Sequence, residues 1–89
     1  MSAPHLSVVQ AEDVHSPAER ARRLFAEAQA AAMEQVEQLE AALDSVIALA
    51  SSVADGGDIY PAGVRELCRR MAEDAKGRRQ TIDALSHRR

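Results

Sequence analysis

The sequence predicts an all-α fold, an antiparallel helical hairpin, on three observations. Its 89 residues leave room for one domain at most. Two long segments with helical spacing of apolar residues flank a single break at residues 55–61, DGGDIYP. Because tandem glycines and a proline end one helix and begin another, this break is typical of a turn between helices. Aromatic residues make up only 2% of the chain, and its many alanines add helix propensity but little burial.

A hairpin with so few large side chains has a thin core, which favours self-association. Small domains of this kind are usually stabilised by disulfides, a metal or oligomerisation. Cys68 is the only cysteine, so an internal disulfide is excluded, and no Cys/His cluster offers a structural zinc site. We therefore expect a homodimer in the form of a four-helix bundle, with coiled-coil spacing and without a metal or cofactor.

Residues 1–15 have the composition of a flexible N-terminal tail. Pro4 and scattered polar residues give this segment no helical period. A basic region followed by an apolar run is missing, so neither a secretion signal nor a membrane span is expected, and a cytoplasmic location follows. The basic residues are almost all arginine, with Lys76 the only lysine, which together with the alanine content indicates a bacterial source.

The first helix is predicted over residues 17–54. Ser16, Pro17 and Glu19 form a capping box with proline at the first helical position, where its missing N–H costs nothing. Nothing after them breaks a helix before the glycines. From Ala32 onward the apolar residues follow a heptad and predict the seam that packs on the second helix: Ala32, Val36, Leu39, Leu43, Val46, Ala50 and Val53.

The turn is predicted over residues 55–60 and the second helix over residues 61–86. Asp58 is the expected cap, and Tyr60, which precedes Pro61, is expected to be extended and to pack against the top of the core. The second helix has its own heptad seam, with steps of four and three: Val64, Cys68, Met71, Ala75, Arg78, Ile82 and Leu85.

Folding the chain at Gly57 predicts which residues lie opposite each other. Leu43 then meets Met71, and residues 17–28 extend beyond the end of the second helix without cover from the same chain. Exposed apolar side chains on such a segment indicate an interaction surface. The predicted interface, for a second copy or for another protein, comprises Leu24, Phe25, Ala28, Met33 and Val36.

A basic set on the second helix supports a different function. Arg65, Arg69, Arg70 and Lys76 offer possible phosphate contacts, as in a nucleic-acid-binding accessory protein. Against this interpretation stand a net charge of −3, a pI of about 5.5 and the i,i+4 spacing of acids such as Glu66 with these arginines. Nucleic acid is therefore not the expected partner.

Arg78 is the one charged residue on the predicted seam of the second helix. The fold register places it near Glu37, so a structural ion pair is expected, and a polar seam residue of this kind can fix helix register. A ligand site at Arg78 is the alternative.

No pattern in the chain predicts catalysis. Cys68 falls on an apolar seam without a histidine to act as its base, so we expect a small buried side chain. The segment 55–58 lacks the further ligands of a calcium loop, and the three histidines form no ligand pair on an apolar face. The sequence thus favours a small non-catalytic protein-interaction or regulatory protein, with nucleic-acid binding as the alternative.

Overall fold

A computed structural model describes residues 16–87 of the chain. It contains two α-helices: α1, Pro17–Ala54, and α2, Ala62–Ser86, which are joined by a short 3-10 turn, Gly57–Ile59. No β-strand occurs among the described residues. The predicted all-α helical hairpin is confirmed. The predicted N-terminal tail, residues 1–15, lies outside the described residues.

The chain divides after Ala32 into two compact units, and the first contains the start of α1. The predicted capping box is formed there. The Glu19 backbone N–H donates to Ser16 Oγ at 3.1 Å, and the Ser16 N–H donates to Glu19 Oε1 at 2.9 Å. These bonds satisfy two backbone donors that a helix start would otherwise leave without partners. Beyond this turn, Leu24 and Phe25 are 59% and 65% exposed.

The second unit begins at Met33 and contains the packed part of the hairpin. The buried residues there are all alanines: Ala50 and Ala54 on α1, and Ala72 and Ala75 on α2. Small side chains at a helix contact favour a short distance between the two axes. Larger apolar side chains of this contact, such as Leu43, Ile47 and Ile82, are only half-buried, and the fully buried core is as thin as the composition indicates.

The residues directed at the opposite helix follow a heptad, but the predicted seams are only partly correct. On α1 they are Met33, Val36, Glu40, Leu43, Ile47, Ala50 and Ala54, and on α2 Arg65, Cys68, Ala72, Ala75, Arg79, Ile82 and Ser86. We call these the interior rows. Several predicted seam residues are instead exposed: Leu39, Val46, Val64, Met71, Arg78 and Leu85. The apolar stripe of each helix is therefore rotated away from its neighbour.

The turn depends on two glycines with different roles. Gly57 has φ of +78°, a left-handed conformation that glycine adopts without a Cβ penalty. Gly56 lies beneath the Tyr60 ring, and a Cβ there would be 2.6 Å from Tyr60 Cδ2. Tyr60 is extended, as predicted. The predicted Asp58 cap is wrong, because α2 has Pro61 at its N-cap without a side-chain cap, and Asp58 pairs instead with Arg65 at 3.7 Å.

The predicted pairing of residues across the hairpin is also wrong. Arg69 on α2 donates to the Ala54 carbonyl at the end of α1, and Arg79 pairs with Asp44. The predicted register places Asp44 opposite Met71, but Asp44 contacts Arg79, which lies about two turns further along α2. Tyr60 and Pro61 are both extended, so they carry the chain past the end of α1 instead of reversing it at Gly57. Because arginine side chains are long, they add to this difference between the predicted and the observed pairing of α1 with α2.

Candidate interaction face

One side of the hairpin unit is apolar along both helices. An open groove of about 280 Å³ lies between α1 and α2, and its walls consist of apolar side chains and one thiol: Val46, Leu49, Ala50, Val53, Cys68 and Met71. Residues seven apart lie on the same side of a helix. Leu39 therefore continues the α1 wall seven residues before Val46, and Val64 continues the α2 wall seven residues before Met71. Leu67 lies beside this wall, one helical turn before Met71. We call this surface the apolar face: Leu39, Val46, Leu49, Val53, Val64, Leu67 and Met71.

The largest side chains of the apolar face are strongly exposed. Leu49 is 70% and Leu67 59% exposed, and Leu39 is 50% exposed. The buried core, by contrast, contains no side chain larger than a methyl group within residues 16–87. This reverses the usual arrangement, in which leucine is buried and alanine tolerates either environment. The face is a contiguous apolar surface two helices wide, which is typical of a binding surface.

The opposite side of the hairpin is polar. A second, smaller groove there has Ser51, Asp55, Arg69 and Glu73 among its lining residues. On α1, Ser51 lies about 200° around the helix axis from Val53 of the apolar face, so the two grooves face different sides. The ion pair between Asp44 of α1 and Arg79 of α2 lies on this side, since Asp44 is seven residues before Ser51, and the two sides of the hairpin thus differ in polarity.

The main ion pair between the helices joins Arg79 to Asp44. Arg79 Nε donates to Asp44 Oδ1 at 2.7 Å, and its Nη2 lies 3.4 Å from Oδ2, so the contact is bidentate. The hydrogen bond to Asp44, followed by the charge of Asp44, raises the pKa of Arg79 above its ordinary value. Because both side chains are partly solvated, this pair orients the helices more than it stabilises them.

The predicted ion pair between Arg78 and Glu37 is wrong. Arg78 Nε lies 2.9 Å from Asp74 Oδ2 on the same helix, and the Arg78 side chain is 73% exposed. Adjacent helix residues differ by about 100° around the axis. The rotation that turns Arg78 outward therefore brings Arg79 to the interior row. Helical spacing allows a second possible inward row on α2, and its residues are exposed too: Leu67, Asp74 and Thr81.

Glu40 occupies an interior position on α1 that the sequence did not single out. Its Oε2 atom is buried and has no hydrogen-bond partner. Glu40 lies between Val36 and Leu43 along the interior row, where apolar residues would pack. The heptad spacing from Leu43 could have located it, because position 40 is three residues before that leucine.

Three of the four predicted phosphate contacts are already used within the chain. Arg65 donates to the Tyr60 carbonyl at 3.2 Å, and Arg69 donates to the Ala54 carbonyl. Arg69 and Arg70 also share the carboxylate of Glu66. Arg69 in addition places its charge at the C-terminal end of α1, where the helix dipole favours a cation. Arg65 and Arg69 therefore bind backbone carbonyls at the turn. Lys76 is exposed.

The residues of the predicted interface fall into two groups. Leu24, Phe25 and Ala28 are exposed in the first unit, while Met33 and Val36 are half-buried on the interior row of the second unit. Met33 and Val36 are therefore directed at the opposite helix rather than at solvent. The apolar face was missed because the two heptad seams were assigned to packing within the chain, although they contain most of its residues.

The remaining reactive groups within residues 16–87 lie apart from one another. Cys68 is half-buried in the apolar groove, as small apolar side chains often are. His87 donates its Nδ1–H to the Asp83 carbonyl at 2.9 Å, and this bond, followed by the charge of Asp83, raises the pKa of His87. Among the described residues, no three His, Cys, Asp or Glu side chains are placed to hold a metal ion.

A depression of about 550 Å³ lies on the outer surface of α2. Gly77 leaves space there, and the Arg78–Asp74 ion pair borders it. Its lining comes from α2 alone, so it does not include the apolar face. Neither α1 nor α2, within the described part of the chain, is apolar enough over a sufficient length to cross a membrane.

Comparisons with known proteins give no relative for this chain. No protein-family model, curated protein or solved structure matches it. The interpretation of its function therefore rests on the residues and their geometry.

Proposed function

We propose that this protein is a non-catalytic interaction protein that acts by adding its two helices to a helical bundle. One observation carries the proposal: the four buried residues are alanines, while the leucines of the apolar face are half exposed or more. Packing the interior of the hairpin leaves this apolar surface in water. Apolar surface in water is unfavourable, and helices of a partner that cover it remove this free-energy cost. Burial of apolar area is the main driving force of association.

The charged side chains support a protein partner over a nucleic acid. Binding to nucleic acid requires several cations that are free to contact phosphates. Arg65, Arg69 and Arg70 contact carbonyls and carboxylates of their own chain instead. Within residues 16–87, by contrast, the leucines of the apolar face remain half exposed or more.

Site-specific photo-cross-linking tests this proposal. A photoreactive amino acid at Leu49 of the full chain is expected to form discrete adducts with a second polypeptide in extracts of the native host. The same residue at Ala48, about 100° away around α1 and also exposed, is the matched control and should form none.

Competition decides whether such adducts are specific. Excess unmodified protein should suppress them, whereas excess Leu49→Gln/Leu67→Gln protein should not, because it lacks two large side chains of the face. Three results would contradict the proposal. The adducts could persist in both competitions, adducts from position 48 could equal those from Leu49, or only nuclease could remove the adducts.

A further inference from the structure

The apolar stripes of α1 and α2 are both rotated away from the contact between them, and in the same sense. On α1 the stripe predicted from sequence shares Val36, Leu43 and Ala50 with the interior row but departs from it by one residue elsewhere. One residue corresponds to about 100° around the helix axis. Averaged over the shared and the shifted positions, the stripe is therefore rotated by roughly a sixth of a turn from the interior row. The α2 stripe departs from its interior row in the same way, at Val64, Met71 and Leu85. Val46 and Met71 consequently line the same groove.

This rotation matches the geometry of a four-helix bundle. In an isolated two-helix contact, each apolar stripe would point directly at the other helix. In a bundle of four, each stripe points at the central axis, which lies about 45° from the line to an adjacent helix. Both helices of the hairpin have the second arrangement, which leaves space for two further helices on the side of the apolar face.

We infer that those two helices belong to a second copy of this chain, packed with its apolar face against the first in a two-fold symmetric four-helix bundle. This inference rests on the proposed function and names its partner. The complementary surface must be two helices wide and keep a seven-residue spacing on both of them. The hairpin itself has such a surface, and a two-fold axis pairs it with its own copy.

The area of the apolar face is sufficient for a dimer. Its large side chains are mostly 37–70% exposed, so each contributes on the order of 100 Å² of accessible surface. Two copies together would cover roughly 1,200 Å² with these side chains alone, which reaches the lower end of the range for specific interfaces.

Charge does not oppose the contact between two identical faces. On α2, Arg78 lies seven residues after Met71 in the row that forms the face, and Asp74 lies beside it; the two charges neutralise each other at 2.9 Å. The acids Glu37 and Asp44 of α1 lie on the other side of that helix. They form one row with Ser51, at steps of seven residues, and Ser51 lines the polar groove. A chain with a net charge of −3 can therefore meet its copy without apposed carboxylates.

Sedimentation equilibrium of the purified full chain tests the inference. At tens of micromolar the wild type should have twice the 9.6 kDa mass of the chain. Leu49→Gln/Leu67→Gln should reduce this mass to that of one chain while the far-ultraviolet circular dichroism stays helical, since both residues are exposed. Leu24→Gln/Phe25→Gln, an equal loss of apolar surface in the first unit, should leave the mass doubled.

The alternatives give distinguishable results. A monomeric wild type would overturn the second copy as occupant, while competed cross-links from Leu49 to another protein would still support the proposed function. A dimer that survives Leu49→Gln/Leu67→Gln but not Leu24→Gln/Phe25→Gln would move the interface to the first unit. A larger assembly would contradict a closed bundle of two hairpins.

Discussion

Replacing Ala72 by leucine should remove much of the stability of the hairpin. Ala72 is 7% exposed in the alanine contact between the helices. Three additional carbon atoms there force the helices apart or distort rotamers, which typically costs about 1–3 kcal/mol. Because the hairpin buries no larger side chains in the described residues, little else can compensate. Urea denaturation followed by circular dichroism measures the change.

Ala84→Leu is the matched control for this experiment. Ala84 is exposed on the same helix, so the identical change should alter the free energy of unfolding by no more than about 0.5 kcal/mol. Equal denaturation midpoints for wild type and Ala72→Leu would show that the helices are not closely packed at the alanines, and the account of the core would be wrong.

Glu40→Leu is expected to stabilise the protein, which is uncommon for a substitution at an interior position. The wild type leaves the buried Glu40 Oε2 atom without a hydrogen bond, and an unsatisfied buried polar group costs about 1–3 kcal/mol. Leucine removes this cost and adds apolar contact between Val36 and Leu43. The charge of Glu40 makes only a minor contribution at Arg79, whose main partner is Asp44, so little is lost.

Thermal and urea unfolding of Glu40→Leu should both show the gain. Glu37→Leu provides the comparison, because Glu37 is exposed on the same helix and its replacement should be nearly neutral. A Glu40→Leu protein less stable than the wild type by about 1 kcal/mol or more would mean that this carboxylate has an ion-pairing role that its geometry does not show.

The ends of the helices could be predicted from sequence because their chemistry is local. Ser16, Pro17 and Glu19 contain the whole start signal of α1, and both bonds of the capping box are formed. Gly57 likewise sits where a left-handed conformation is needed. Asp58 is the exception, because α2 has Pro61 at its N-cap, three residues later, and the Asp58 carboxylate lies 3.7 Å from Arg65 instead.

The rotation of the helices could not be predicted in the same way. A heptad shows where the apolar stripe lies on a helix, but it does not show which neighbour the stripe faces. Val46 and Met71 were assigned to the contact within the chain, yet both line the outer groove. Arg78 and Arg79 show how sensitive the interpretation is, since one residue of rotation exchanges a solvated arginine for one that contacts α1.

The register across the hairpin failed for a related reason. It depends on the path of the turn, and the extended conformations of Tyr60 and Pro61 lengthen that path. The prediction of the candidate site contains both errors, because Leu24 and Phe25 were selected as the uncovered residues while Leu39 and Met71 were assigned to the seams within the chain. The composition nevertheless predicted the main property correctly, a core of small side chains.

The rate of thiol labelling at Cys68, measured over a range of protein concentrations, tests most directly whether a second copy covers the apolar face. Cys68 is half-buried in the wall of the open groove, so the reagent should reach it readily in a single hairpin. We predict that the wild-type rate falls at least tenfold as the concentration rises through the dimer dissociation constant, while the rate for Leu49→Gln/Leu67→Gln remains high throughout. A wild-type rate that is independent of concentration, from well below micromolar to hundreds of micromolar, would contradict the account.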